Sequence, residues 1–237
     1  MENFEQYINK EEISQPRTAE EFICWFEKKL SITNERRELR RQNLLHEGVA
    51  KIFYEELFPL YRLLQNKAGD WEREKFMPVI GNQNYDVEVQ TNRKDVPRYI
   101  EITTTDMDEE EKFRMQYFLE HGHVVLTGKV SIRKDKKTGK KINVENEARN
   151  HSEGTHEIKD RIKELITKKL SVTKRPDNTA LLVYYVDYIY LRYDDGASKN
   201  EVDTFIDSIN IPWQNQYSML YVVGASGKSF FEKRGEN

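Results

Sequence analysis

The amino-acid sequence predicts an α/β fold in which helices flank a mixed central sheet, with an N-terminal helical annex. Two observations predict it. Apolar residues recur at helical spacing in the first third of the chain, and from residue 85 onward alternating or continuously apolar stretches separate further helical segments. At 237 residues the chain is long enough to bury a sizeable core. We expect a helical region over residues 1–66 to pack on a core over residues 67–237, as one domain.

The composition indicates a folded protein whose bulk charge favours no particular partner. Lys and Arg total 38 against 41 Asp and Glu, which gives a net charge of -3. Any contact with nucleic acid must therefore be local. No apolar run resembles a signal peptide or a spanning helix, and the single cysteine, Cys24, excludes an internal disulfide framework. We expect a cytoplasmic protein that does not bind membranes.

Two amphipathic helices are predicted in the N-terminal region. Thr18 and Glu21 have the spacing of a capping box, and apolar residues follow at helical intervals through residue 30. A longer apolar stripe runs through residues 42–65. Pro59 is expected to bend or interrupt this second helix, because proline cannot donate a backbone hydrogen bond.

The stretches YDVEVQ (85–90) and RYIEITTT (98–105) predict an antiparallel hairpin. In each stretch apolar and polar residues alternate, and the turn-like sequence TNRKDVP lies between them. One face of the hairpin is therefore apolar. The other face carries Asp86, Glu88, Glu101 and Thr103.

The rest of the chain alternates between predicted helices and strands. Residues 107–120 predict a helix, GHVVLTGKVSIR predicts a strand leading into a basic hairpin, and residues 155–170 predict an amphipathic helix. The strongly apolar ALLVYYVDYIYL predicts a strand in the middle of the sheet. A second capping box, Ser198 and Glu201, predicts another helix, and YSMLYVVG predicts the last strand.

The hairpin carboxylates are the candidate metal ligands. Asp86 and Glu101 lie on neighbouring strands with the same parity, so two hard oxygen ligands could reach one Mg²⁺ or Mn²⁺ ion, with the backbone carbonyl of Ile102 as a third ligand. Like charges opposite one another on strands are unfavourable unless a cation joins them. The alternative is that both acids are solvent-facing and pair with basic residues of the turn, at little gain in stability.

This order of elements resembles the core of the restriction-endonuclease-like superfamily, known for its PD-(D/E)xK motif. The resemblance covers roughly residues 44–190 and rests on a long helix, a strand, YD and IEIT on a hairpin, a later helix and a buried strand. It implies that Asp86 is the first acidic residue of the motif and that Glu101 is its Glu. Thr103 stands where the family has lysine.

The resemblance also implies two further catalytic residues. Some members of the superfamily carry the lysine on the following helix, where Lys159 or Lys163 would take its place; we select Lys159. The alternative is that both are solvated helix lysines. The family often has a glutamate on its first core helix. Glu56 lies within the apolar stripe by helical phase, whereas Glu47 falls on the opposite side, so we select Glu56.

The predicted basic hairpin is the candidate nucleic-acid contact. Clustered positive side chains can follow a phosphate backbone without reading its sequence. The alternative is a solvated turn whose lysines discourage aggregation. The residues concerned are Lys129, Arg133, Lys134, Lys136, Lys137, Lys140 and Lys141.

Together these features favour a metal-dependent nuclease that hydrolyses phosphodiester bonds of DNA or RNA. Its expected cofactor, if it is active, is Mg²⁺ or Mn²⁺, and its expected partner is nucleic acid. The sequence also allows a homodimer. The alternative of another class is a catalytically inactive nuclease-like scaffold that binds nucleic acid or protein, which Thr103 favours. A third reading is an unrelated α/β protein whose hairpin acids face solvent.

Overall fold

A seven-stranded mixed sheet forms the centre of the computed structural model, which describes residues 3–105, 109–124, 129–135, 139–145, 151–172, 174–187 and 204–235. The order within this sheet is β1-β2-β3-β4-β7-β8-β9, and β5 and β6 form a separate hairpin. β4, β7 and β8 are parallel, and the other neighbours are antiparallel. In chain order the strands are β1 (Arg17–Thr18), β2 (Lys75–Pro78), β3 (Val87–Gln90), β4 (Tyr99–Thr104), β5 (Lys129–Asp135), β6 (Gly139–Glu145), β7 (Thr179–Tyr185), β8 (Met219–Gly224) and β9 (Phe230–Arg234).

Helices cover both faces of the sheet. In chain order they are α1 (Lys10–Ile13), α2 (Ala19–Glu35), α3 (Arg40–Leu45), α4 (Val49–Ile52), α5 (Phe58–Lys67), α6 (Glu109–His121) and α7 (His151–Leu170). Residues 204–208 are also helical. A π-helical turn, Phe53–Leu57, joins α4 to α5, and short 3₁₀ turns occupy Phe4–Gln6, Arg37–Leu39 and Trp213–Asn215.

The central parallel strands β7 and β8 are buried on both faces of the sheet. Leu182 of β7 packs with Ile100 of β4 and with the N-terminal helices, whereas Leu181 of β7 packs with Ile162 of α7. Strands covered on both faces are continuously apolar, and all seven residues of β7 are buried between β4 and β8. The predicted mixed sheet flanked by helices is therefore confirmed.

Several local predictions are also confirmed. The hairpin pairs β3 with β4 in a register that places Val87 opposite Ile100. The Thr18 hydroxyl accepts from the Glu21 amide at 3.3 Å, and the Glu21 carboxylate accepts from the Thr18 amide at 2.8 Å, which completes the capping box of α2.

The predicted single helix over residues 42–65 is wrong. α3 ends at Leu45, because His46 and Gly48 adopt positive φ values of 47° and 62°, and the chain restarts as α4 at Val49. The Phe58 amide then donates to the Phe53 carbonyl, the spacing of a π turn. Pro59 follows directly and has no N–H to continue the α-helical ladder through this turn. The turn carries Glu56 toward the site described below.

The backbone of the basic hairpin pairs as predicted. β5 and β6 pair antiparallel, with Arg133 opposite Lys141 and Lys134 opposite Lys140. Lys136 and Lys137 lie outside the described residues, as do Ser198 and Glu201 of the second predicted capping box. No helix in the described part of the chain is long and apolar enough to cross a bilayer.

Candidate active site

Glu101 is a buried carboxylate in the middle of β4, held by three donors. Its Oε2 accepts from Arg175 Nε at 2.6 Å and from the Tyr217 hydroxyl at 2.6 Å. Its Oε1 lies 2.9 Å from Lys169 Nζ, and the residue is 5% exposed. Burial opposes ionisation, but the hydrogen bonds from these donors outweigh it and lower the pKa of Glu101 below its ordinary value. Glu101 is therefore ionised at neutral pH.

Asp86 lies where β3 begins, beside Glu101. Its Oδ2 accepts from the Ile102 amide at 2.6 Å, so the side chain takes the place of a ladder bond at the end of the strand. Burial raises the pKa of Asp86, and the nearby charge of Glu101 adds to that rise. The Ile102 hydrogen bond and the charge of Lys169 oppose it. Asp86 is thus a carboxylate whose charge is only partly compensated.

Glu56 approaches Asp86 from the helical layer. Burial raises its pKa to about 7, and the charges of Asp86 and Glu55 contribute, while Lys51 and Lys169 oppose them. Glu55 itself pairs with His46 at 3.2 Å. The π turn therefore places Glu56 near Asp86, while Glu55 beside it pairs with His46.

These side chains line two adjoining cavities. The first, here called the acidic cavity after Glu55, Glu56 and Asp86, has a volume of about 550 Å³. Cations balance its acids, since the rest of its charged lining is Glu164, Lys51, Arg161, Lys168 and Lys169. The second, here the tyrosine cavity, has a volume of about 470 Å³ and is lined by Tyr85, Glu101 and Val172, among others. Asp86, Thr103, Leu165, Lys168 and Lys169 line both cavities.

Lys169, rather than the predicted Lys159, is the lysine of α7 that lies beside Glu101. Lys159 is not among the described residues that line either cavity, and it lies ten residues, about 15 Å along α7, before Lys169. A signal for Lys169 was present. It follows Leu165 by four residues and Ile166 by three, so it falls within the apolar stripe of α7, as Glu56 does in its own helix.

Arg175 and Gln216 fix the end of the helix that carries Lys169. The guanidinium donates to the carbonyls of Lys169 and Val172 and to the Gln216 side chain, and Gln216 Nε2 donates to the Leu170 carbonyl at 2.8 Å. These bonds satisfy carbonyls that the helix leaves open at its C-terminus. Sequence reasoning missed the roles of Arg175, Gln216 and Tyr217. The first two lie in connections with no periodic signal, and Tyr217 was placed only as the first residue of the predicted last strand.

No protein-family model, curated protein or solved structure matches this chain. The chemistry of the site rests on its own residues.

The predicted metal ligands are brought together, but in an arrangement that the sequence did not predict. In the described part of the chain, no group of three or more His, Cys, Asp and Glu side chains is placed to hold a metal ion. Asp86 and Glu56 fit a hard cation, because burial raises the pKa of each and the charge of Asp86 adds to the rise at Glu56, a repulsion that a cation would relieve. Glu101 fits less well, since Lys169 and Arg175 already neutralise it. The Ile102 carbonyl stays a prediction.

Proposed function

We propose that the chain is a metal-dependent nuclease of the restriction-endonuclease-like kind, which hydrolyses phosphodiester bonds in nucleic acid. One observation carries the proposal. Four separate elements bring Glu56, Asp86, Glu101 and Lys169 to a pair of adjoining cavities, so acids suited to a cation lie beside an ammonium suited to a phosphate.

The order of elements supports the proposal. A helical segment ending in α5 precedes β2, the hairpin of β3 and β4 carries Asp86 and Glu101, and α7 leads into the buried strand β7, which is parallel to β4. This is the order on which the resemblance to the superfamily rests. α6 and the hairpin of β5 and β6 are inserted between β4 and α7.

The acids and the lysine have different roles in this proposal. Asp86 and Glu56 would hold a divalent cation, which would polarise the phosphate and lower the pKa of a bound water. Because burial raises the pKa of Glu56 to about 7, binding of the cation near neutral pH would displace the proton that Glu56 partly holds.

Lys169 supplies the positive charge that Thr103 lacks. Its ammonium lies 2.9 Å from Glu101 and lines both cavities, where it can stabilise charge that develops on the phosphate. Glu101 is then a positioning residue, because it holds Lys169 through an ion pair while Arg175 and Tyr217 hold Glu101.

Cleavage assays with paired carboxylate variants test the proposal. Labelled single-stranded and duplex DNA and RNA are incubated with Mg²⁺, Mn²⁺ or EDTA. We expect Asp86→Asn to abolish cleavage and EDTA to stop it. Glu88→Gln is the matched control, since Glu88 lies two residues further on the same face and lines neither cavity. Cleavage by Asp86→Asn at the rate of the unmodified protein, with both variants folded by circular dichroism, would reject the assignment.

A second candidate function is a nuclease-like scaffold that binds nucleic acid without cleaving it. Arg175, Tyr217 and Lys169 engage both oxygens of Glu101, and that specific observation favours it. A melting experiment separates the two functions. If the site binds metal, Mn²⁺ raises the melting temperature of the unmodified protein and not that of Glu56→Gln/Asp86→Asn. If only an oligonucleotide raises it, the binding scaffold is correct.

A further inference from the structure

The tyrosine cavity differs in chemistry from the acidic cavity beside it. Tyr85 contributes an aromatic ring, backed by Tyr99 at a centroid distance of 4.6 Å. Val172 faces the same cavity and is 37% exposed, one of two large apolar side chains that are exposed in the described part of the chain. Half-buried Leu165 adds further apolar surface. This cavity therefore offers an aromatic ring and an exposed valine that the acidic cavity lacks, while Leu165 lines both.

Polar groups accompany this apolar lining. Asn84 lines the cavity, and its amide nitrogen donates to the Lys174 carbonyl, a bond that leaves Oδ1 as an acceptor. Ser171 and Gln83 also line it. Polar and charged side chains outnumber Tyr85, Leu165 and Val172 in this lining, and a nucleobase, which has two apolar faces and a polar edge, can contact both kinds of group.

Positive charge lies where the two cavities meet. Lys168 is exposed, Lys169 is 27% exposed at its side chain, and both line both cavities. A phosphate bound at this junction would have the acids on one side and the aromatic lining on the other. That arrangement suits one phosphate of a polynucleotide together with the base next to it.

We infer that the site takes single-stranded nucleic acid, with an unpaired base in the tyrosine cavity against Tyr85 and the adjoining phosphate at Lys168 and Lys169. The inference rests on the proposed function and names its substrate class. A base within a duplex is stacked and paired inside the helix, so it cannot enter a side cavity unless it is extruded at a cost. An unpaired base avoids that cost.

Fluorescence anisotropy tests the inference without requiring cleavage. A short labelled oligodeoxynucleotide is titrated in EDTA and in Ca²⁺, as a single strand and as a blunt duplex. We expect the single strand to bind at least about tenfold more tightly than the duplex. Tyr85→Leu should weaken single-strand binding by about 5- to 150-fold, the range for loss of one stacked base, while Tyr85→Phe should retain it.

Two further variants protect the test against misfolding. Val172→Glu changes an exposed position, so it should fold, and its negative charge at the cavity should also weaken single-strand binding. Tyr117→Leu removes a tyrosine of α6, which lines neither cavity, and should leave binding unchanged. A bromouracil-substituted strand, irradiated in the complex, should cross-link to the peptide that contains Tyr85.

The outcomes separate this inference from the proposed function. Equal binding of duplex and single strand, with no effect of Tyr85→Leu or Val172→Glu, overturns the inference even if metal-dependent cleavage is found. Single-strand binding that both variants weaken supports it even if no cleavage occurs, in which case the nuclease proposal fails alone. Absence of binding to either form overturns both.

Discussion

Arg175 and Glu101 form a buried ion pair that joins the end of α7 to the middle of the sheet. Arg175 Nε donates to Glu101 Oε2 at 2.6 Å, and the two side chains are 4% and 6% exposed. The same guanidinium lies over the Tyr217 ring, 4.6 Å from its centroid. The pair thus positions Lys169, which precedes Arg175 by six residues and bonds to Glu101 from the other side.

Removing Arg175 should cost the protein much of its stability. Arg175→Met leaves Glu101 buried with fewer donors, and it removes the donor to the carbonyls at the end of α7. We therefore expect a loss of about 3 kcal/mol in the free energy of unfolding. Urea denaturation measures it. The matched control is Arg41→Met, which removes an exposed partner of Glu47 and should change stability by less than about 0.5 kcal/mol. A similar, small loss in both variants would show that the buried pair is not stabilising.

Lys169 and Lys159 should differ sharply in their effect on cleavage. Lys169→Met removes the ammonium beside the site and should reduce the cleavage rate by about 100- to 1000-fold, as expected for loss of a preorganised charge donor. Lys159→Met, ten residues earlier on α7, should leave the rate unchanged. Single-turnover kinetics measure both, and Lys28→Met on the exposed side of α2 controls for loss of a lysine. The opposite ranking would favour Lys159 as the relocated lysine.

Glu56 should make stability depend on pH in a defined window. Burial raises its pKa from 4.5 to about 7, so between these values the folded protein binds a proton that the unfolded chain has released. Stability therefore falls as pH rises through the window and levels off above it.

Glu56→Gln isolates this effect, because glutamine does not titrate. The free energy of unfolding of the unmodified protein, minus that of Glu56→Gln, should fall by about 1–3 kcal/mol from pH 4.5 to about 7. Urea denaturation at several pH values measures it, with Glu88→Gln as control. Since Mn²⁺ competes with the proton for Glu56, its stabilising effect should grow over the same range. A difference that is flat with pH would mean that Glu56 titrates normally.

Much of the local structure could be predicted from the sequence. Alternation in residues 85–90 and 98–105 predicted the β3–β4 hairpin and the shared parity of Asp86 and Glu101. Helical phase placed Glu56 on the buried side of its helix. These predictions succeed because periodicity of two or 3.6 residues follows from backbone geometry, which neighbouring residues determine.

Tertiary structure decided which groups surround those acids. The partners of Glu101 lie 74 residues away at Arg175 and 116 residues away at Tyr217, and no local pattern predicts such a pairing. The break at His46 and Gly48 and the π turn that carries Glu56 depend on how α3, α4 and α5 pack. The chain alone determined that carboxylates would share one face of a hairpin. The packing of α7, and of Gln216 and Tyr217 before β8, against that face decided that cations would meet these carboxylates. Such long-range contacts form only when the sheet is assembled.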